Sequence, residues 1–213
     1  MHNSFIASPV YRGVTKRSRG YLPHWEIDGG IYFITFRLAD SLPADVAARL
    51  DEERRANAAS ILATQGGLTV FDRCELARLH SVRLDDALDR GYGSCCLREP
   101  ETAAVIKRTL EYYDTARYDL YAWCVMPNHV HVIAELFSGE TLARTIHTWK
   151  SYSATAINRE LGLKGHLWQR EYFDRLIRDR EELIAIVQYI LDNPVKAGLR
   201  DWPWVWSRDR LVD

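Results

Sequence analysis

The stretch Tyr121–Leu136, YAWCVMPNHVHVIAEL, constrains this chain more than any other. It holds two apolar, β-favouring runs broken at Met126-Pro127-Asn128, which reads as strands at about Tyr118–Val125 and His129–Leu136 joined by a tight turn. Strands joined that tightly pair antiparallel, so the sheet is at least partly antiparallel. Side chains alternate faces along a strand, so His129 and His131 project from one face and Val130 and Val132 from the other. Two imidazoles at neighbouring same-face positions of a rigid strand make half of a candidate metal site. The alternative is two strand histidines that merely flank a core.

The other elements fall around this pair. Residues 1–28 are polar, broken by Pro9 and Pro23, and read as an irregular or mobile arm. Gly29-Gly30 launches the strand IYFITFRL, with Tyr32, Ile34, Phe36 and Leu38 on one face and Phe33, Thr35 and Arg37 on the other. Two acidic helices follow, about Ala44–Ala63 and Phe71–Arg90; they look like an insertion, about 40–98, between core elements. Pro100-Glu101 opens another helix before the histidine-bearing strands. A long helix after Gly139 ends at Gly162, and at about 100° per residue Leu142, Ile146, Trp149 and Ile157 share one stripe. Trp149 is therefore read as core rather than as a base-stacking platform. Tyr172–Arg178 is short and β-like, and Asp179-Arg180-Glu181-Glu182 is a capping-box pattern opening a helix that should stop near Asn193, before Pro194. The tail, with Trp202, Trp204 and Trp206 alternating, reads as an extended segment covering the core. The expected fold is α+β: a ferredoxin-like βαββαβ sandwich with an antiparallel sheet, a helical insertion and an extra C-terminal helix, the whole of 1–213 forming one domain.

Composition sets limits. No uncharged apolar run approaches the roughly 20 residues that span a bilayer, and the N-terminus lacks the apolar block of a secretory signal. Four cysteines, Cys74, Cys95, Cys96 and Cys124, show no zinc-ligand spacing, so a reduced, cytoplasmic setting is expected. The formal net charge of −1 does not announce a nucleic-acid binder. Basic residues cluster locally, at Arg12, Lys16, Arg17 and Arg19 and again at Arg170, Arg175, Arg178 and Arg180. Such clusters are usually solvated surface, so charge alone leaves DNA binding unsupported.

In the last helix, Leu183, Ile184, Ile186, Val187, Ile190 and Leu191 form an apolar arc, and Tyr189 lies about 60° outside it. Asn193 stands one turn further on the same side. Helix geometry alone reads this pair as a rim tyrosine followed by an Asn C-cap.

Four segments taken together, MPNHVH in a strand, WKSY on the next helix, WQREYFDRLIR, and YILDNPVKAGL, resemble the REP-associated tyrosine transposases, relatives of the single-tyrosine transposases of the HUH nuclease superfamily. The resemblance runs from about His24 to Trp206, and MPNHVH with YIxxNPVKAG at this separation is its specific part. It implies that His129 and His131 ligate a divalent metal, Mg²⁺ or Mn²⁺, that Tyr189 is the nucleophile, and that Asn193 is a third ligand in a position the superfamily often fills with Gln or Glu. The C-terminal helix thereby becomes the nucleophile-bearing one. The implied partner is single-stranded DNA of repetitive palindromes, a hairpin with a short guide sequence at its foot, acted on by a monomer or homodimer.

Elementary chemistry agrees with those roles. A tyrosine with a pKa near 10 is a poor nucleophile at neutral pH, so phosphodiester cleavage needs a metal to polarise the phosphate. Attack gives a 5′-phosphotyrosine and a free 3′-OH. No P-loop or GxGxxG signals a nucleotide cofactor. Among the other tyrosines, Tyr112, Tyr113 and Tyr152 lie on neighbouring helices, and Tyr172 is the rival nucleophile. Lys150, Arg175 and Arg178, with the Arg12, Lys16, Arg17, Arg19 arm, are the expected phosphate contacts. Two other functions stay open: a catalytically silent hairpin-binding module, and a phosphodiesterase that uses water.

Overall fold

The computed structural model describes residues 15–19 and 22–208. Its centre is a five-stranded antiparallel sheet. In chain order the strands are β3 (Ile31–Arg37), β4 (Tyr118–Val125), β5 (His129–Leu136), β6 (Phe173–Leu176) and β7 (Val205–Ser207), laid side by side as β6-β3-β5-β4-β7. The first four have the order and antiparallel pairing of a ferredoxin-like sheet, so the α+β expectation holds. The tail is more than a cover: β7 pairs along β4 and sets Trp206 opposite Trp123.

Among the described residues there are five α-helices: α1 (Ala44–Gln65), α2 (Val70–Leu88), α3 (Pro100–Glu111), α4 (Leu142–Leu161) and α5 (Arg180–Lys196). Pro at N1 starts α3, Thr141 caps α4, and Gly162 in the left-handed conformation ends it. α3 and α4 cover one face, where Ile106, Leu110, Ile146 and Trp149 pack on Tyr32, Ile34, Phe36 and Val132. Full burial of each such side chain stabilises by about 1.5–3 kcal/mol. Trp149 is core, as its stripe requires, and its indole N–H donates to Tyr118 Oη at 2.9 Å. α5 covers the other face, where Leu183, Val187 and Ile190 meet Phe33, Cys124 and Ile133.

α1 and α2 form a hairpin between β3 and α3 with a small apolar cluster of their own, Leu42, Val46, Leu50, Ala87 and Leu88. Gly93 is required where this hairpin returns to the body. Its φ is +84°, and a Cβ there would collide with the Asp40 carbonyl.

Three expectations are corrected. The N-terminal arm is not irregular throughout: β1 (Thr15–Arg19) and β2 (Leu22–Glu26) pair as a two-stranded sheet that tolerates Pro23. Arg12 lies outside the described residues. α5 does not stop before Pro194 but runs to Lys196. Pro194 removes one amide donor near the end of a helix already anchored by buried Ile190 and Asn193, and its ring is itself buried. Ile184, placed on the apolar arc, is exposed.

Candidate active site

Sheet register brings the site together. Antiparallel pairing of β3 and β5 sets Thr35 opposite His131 and Arg37 opposite His129, and β4 sets Cys124 opposite His131. Both imidazoles sit under α5 with 0% exposure. Burial pushes the pKa of His131 down to about 3 and holds His129 well below the ordinary range, so both rings are neutral.

Their hydrogen bonds decide which nitrogen is free. The Asn128 amide donates from Nδ2 to the carbonyls of Leu88 (3.1 Å) and Tyr92 (3.2 Å), which leaves its Oδ1 facing His129 Nδ1 at 2.8 Å. That oxygen can only accept, so His129 carries its proton on Nδ1 and presents a lone pair on Nε2. His131 Nδ1 lies 2.8 Å from Thr35 Oγ1, a hydroxyl able to donate or accept, and the two Nε2 atoms are 3.0 Å apart. Without a cation, His131 donates from Nε2 to His129 and Thr35 donates to His131. With the Thr35 hydroxyl rotated to accept, both Nε2 lone pairs aim at one point, which only a positive charge stabilises.

Tyr189 stands against this pair. Its ring packs edge-on to His131 at 5.6 Å between centroids and to Phe33 at 6.0 Å. The Lys196 ammonium lies 5.1 Å from the ring centre. The phenol donates to Asp85 Oδ2 on α2 at 2.8 Å. Burial, then the Asp85 charge, drives the phenol pKa well above its ordinary value, while the Asn193 amide opposes that rise. Burial also raises Asp85 to about 7, against the Tyr189 hydrogen bond. Asn193 is 1% exposed, and its Oδ1 has no hydrogen-bond partner, nor has Asp85 Oδ1. A buried oxygen left so costs about 1–3 kcal/mol.

These residues fit a hard divalent ion. Two donors about 2.1 Å from one octahedral ion at a right angle lie roughly 3 Å apart, the spacing of the Nε2 pair. Asn193 supplies an unpartnered oxygen. Among the described residues no group of three or more His, Cys, Asp or Glu converges, so an ion here would have neutral protein donors and would bind weakly until a phosphate added negative charge.

The expected DNA contacts are engaged within the protein. Lys150 Nζ donates to the carbonyls of Gln169 (2.6 Å) and Arg170 (2.8 Å), and burial lowers its pKa to about 8. Arg175 and Arg178 both pair with Glu182, Arg178 at 3.0 Å. Glu182 does not close the capping box; its carboxylate accepts instead from the Arg178 amide, while Asp179 caps the Glu182 amide. Lys16, Arg17 and Arg19 lie on β1. Tyr172 packs with the α3–α4 side of the sheet and borders a cleft of ≈ 240 Å³ that it shares with Thr35, Arg37, Arg54 and His80.

Four residues of the site escape a sequence reading. Asn128 and Lys196 lie inside the quoted motifs, and Thr35 shares the face assigned to Phe33 and Arg37. Asp85 carries no local signal.

Comparison with known proteins agrees with the motifs. Residues 96–193 match the family model described as "Transposase IS200 like". A REP-associated tyrosine transposase of Escherichia coli (strain K12) is 31% identical over 91 residues, 41% of this chain and 53% of that protein. A Haemophilus influenzae relative named for the same group is 29% identical over 118 residues, 49% of this chain and 65% of its own length. The chain thus spans less than two thirds of either relative. A solved structure of a REP-associated tyrosine transposase bound to a REP hairpin superposes with a TM-score of 0.44 at 19% identity, covering 90% of this chain and 82% of that one. Residues 96–193, from the turn before α3 to Asn193, match an IS200-like transposase model, and over less than half of its length the chain is similar to REP-associated tyrosine transposases.

Proposed function

We propose that this chain cuts and rejoins single-stranded hairpin DNA through a 5′-phosphotyrosine on Tyr189. The observation that carries the reading is the edge-on packing of the Tyr189 ring on His131, whose Nε2 converges with that of His129. Mg²⁺ or Mn²⁺ held by His129, His131 and Asn193 would, when bound, polarise the scissile phosphate. Asn128 and Thr35 orient the two rings, as partners of metal-bound histidines do. Tyr189 attacks phosphorus, the 3′-oxygen leaves, and the phosphotyrosine conserves the bond for rejoining.

Lys150, Arg175 and Arg178, with Lys16, Arg17 and Arg19 of β1 and Arg12 before it, are the proposed phosphate contacts. For Arg175 and Arg178 this requires exchanging Glu182 for DNA.

The test is incubation with end-labelled hairpin DNA and Mn²⁺, read on a denaturing gel. A protein-linked band that disappears on chelation supports the proposal. Cleavage without any linked band would assign the chain to the water-using phosphodiesterases. Hairpin binding with neither would make it a silent binding module.

A further inference from the structure

The reading of Tyr189 as nucleophile leaves its proton unassigned. The phenol donates its hydrogen bond to a carboxylate, and that proton must leave as the oxygen attacks. A group within hydrogen-bond reach must take it. Neither His129 nor His131 hydrogen-bonds the phenol, and the Nδ1 atoms of both are committed to Asn128 and Thr35. The Asp85 carboxylate already accepts from Tyr189 Oη at 2.8 Å, across 104 positions of sequence.

We propose, resting on the Tyr189 reading, that Asp85 of the α1–α2 hairpin is a catalytic residue, the acceptor of the Tyr189 proton during strand cleavage. As the bond from Tyr189 oxygen to phosphorus forms, the bond from phosphorus to the 3′-oxygen breaks and the phenolic proton moves to Asp85 Oδ2. The departing 3′-oxygen takes a proton from solvent water. In rejoining, the 3′-OH gives its proton to solvent as it attacks, and Asp85 returns its own to the phenolate that leaves.

The surroundings suit the task. Asp85 is 7% exposed, and among the described residues its second oxygen, Oδ1, has no hydrogen-bond partner. Burial first, then the neighbouring Asp89 and Asp86, raise its proton affinity, and the Tyr189 hydrogen bond lowers it. Lys196 faces Asp89 and the Tyr189 ring from α5. The net result, near 7, is where a base is both free and competent at neutral pH.

The experiment measures single-turnover adduct formation on labelled hairpin DNA with Mn²⁺, across about pH 6 to 9, for the wild type, Asp85→Asn, Asp85→Glu and Tyr189→Phe. The wild-type rate should rise through about pH 7 and level off. Asp85→Asn, nearly isosteric and still able to accept the phenol's hydrogen bond, should lose that rise and fall about 100-fold with hairpin binding unchanged. Asp85→Glu should recover part of the rate and the pH-dependent limb. Asp85→Asn with the wild-type rate and limb, or a faster rate from a released clamp, overturns the proposal. If Tyr189→Phe is dead while Asp85→Asn is unaffected, only the Asp85 assignment falls. An adduct on Tyr189→Phe removes the nucleophile and this inference together.

Discussion

The two faces of one sheet have been put to different uses. On the α3–α4 face the polar atoms serve the packing: Trp149 donates to Tyr118, and Tyr118 donates to the Leu110 carbonyl at 2.7 Å. The buried side-chain atoms left without partners there, Trp123 Nε1 and Thr145 Oγ1, are neutral donors. On the α5 face the atoms left over are oxygens, Asp85 Oδ1, Asp89 Oδ1 and Asn193 Oδ1, grouped on α2 and α5 beside two neutral imidazoles. The carboxyl groups of buried Asp85 and half-buried Asp89, raised to about 7 and about 6, oppose folding near neutral pH. One face spends its burial on stability, and the other holds unsatisfied groups that only a cation, a proton or a substrate completes.

The largest expected effect breaks the second face. His129→Ala or His131→Ala should lower divalent-metal-dependent cleavage by at least about 100-fold, while hairpin affinity, set mostly by backbone contacts, stays within a few-fold. Gel-shift and cleavage assays on the same preparations check it, and full cleavage by the double variant would refute the metal site.

Next, the first face should be breakable without touching chemistry. Trp149→Ala should cost about 3–5 kcal/mol in urea unfolding. Adduct formation per folded molecule should stay near wild type at low temperature. A selective loss of chemistry in a fully folded variant would mean that the two faces are not separable.

A third effect sharpens the comparison through pH. The Asp85 pKa is raised on folding, so its favourable contribution is complete below the unfolded value near 3.9 and is lost as pH rises through about 7. Asp85→Asn should therefore be more stable than wild type at pH 8 by at most about 4 kcal/mol, at about 1.4 kcal/mol per pKa unit. Near pH 4 the two should converge. Thermal melts at the two pH values measure this, and a variant less stable at pH 8 would show that the carboxylate is a structural tie.

The smallest effect concerns the arginines. Replacing Arg175 and Arg178 by Gln should weaken hairpin binding and reduce its salt slope by about one unit per true contact. An unchanged slope would put the DNA path elsewhere.

How much of this could be read from the chain follows from the range of each signal. β4 and β5 were legible to the residue because Met126-Pro127-Asn128 interrupts two β-favouring runs, and α4 because Gly162 and a four-residue stripe bound it. The His129/His131 face follows from alternation alone. β7 escaped as a strand because three residues carry no periodicity, and the β1–β2 pair because Pro9 and Pro23 argue against strands. α5 outran Pro194 because a preceding-residue preference yields to tertiary anchoring. Asp85 was out of reach for a stronger reason. Asp85-Asp86 on an acidic helix looks like solvated surface, and only the tertiary fold brings Asp85 within hydrogen-bond reach of Tyr189.

The central claim is that Tyr189 is the atom-bearing nucleophile, and the most direct measurement is to locate the covalent bond. Hairpin DNA is reacted with the wild type, Tyr189→Phe and Tyr172→Phe in Mn²⁺, the complex is digested, and the nucleotide-bearing peptide is sequenced by mass spectrometry. The account predicts a phosphonucleotide on Tyr189 in the wild type and in Tyr172→Phe. Tyr189→Phe, which loses only the phenolic oxygen and keeps its ring against His131 and Phe33, should bind hairpin and carry no label. A labelled peptide containing Tyr172, or any adduct on Tyr189→Phe, would contradict it.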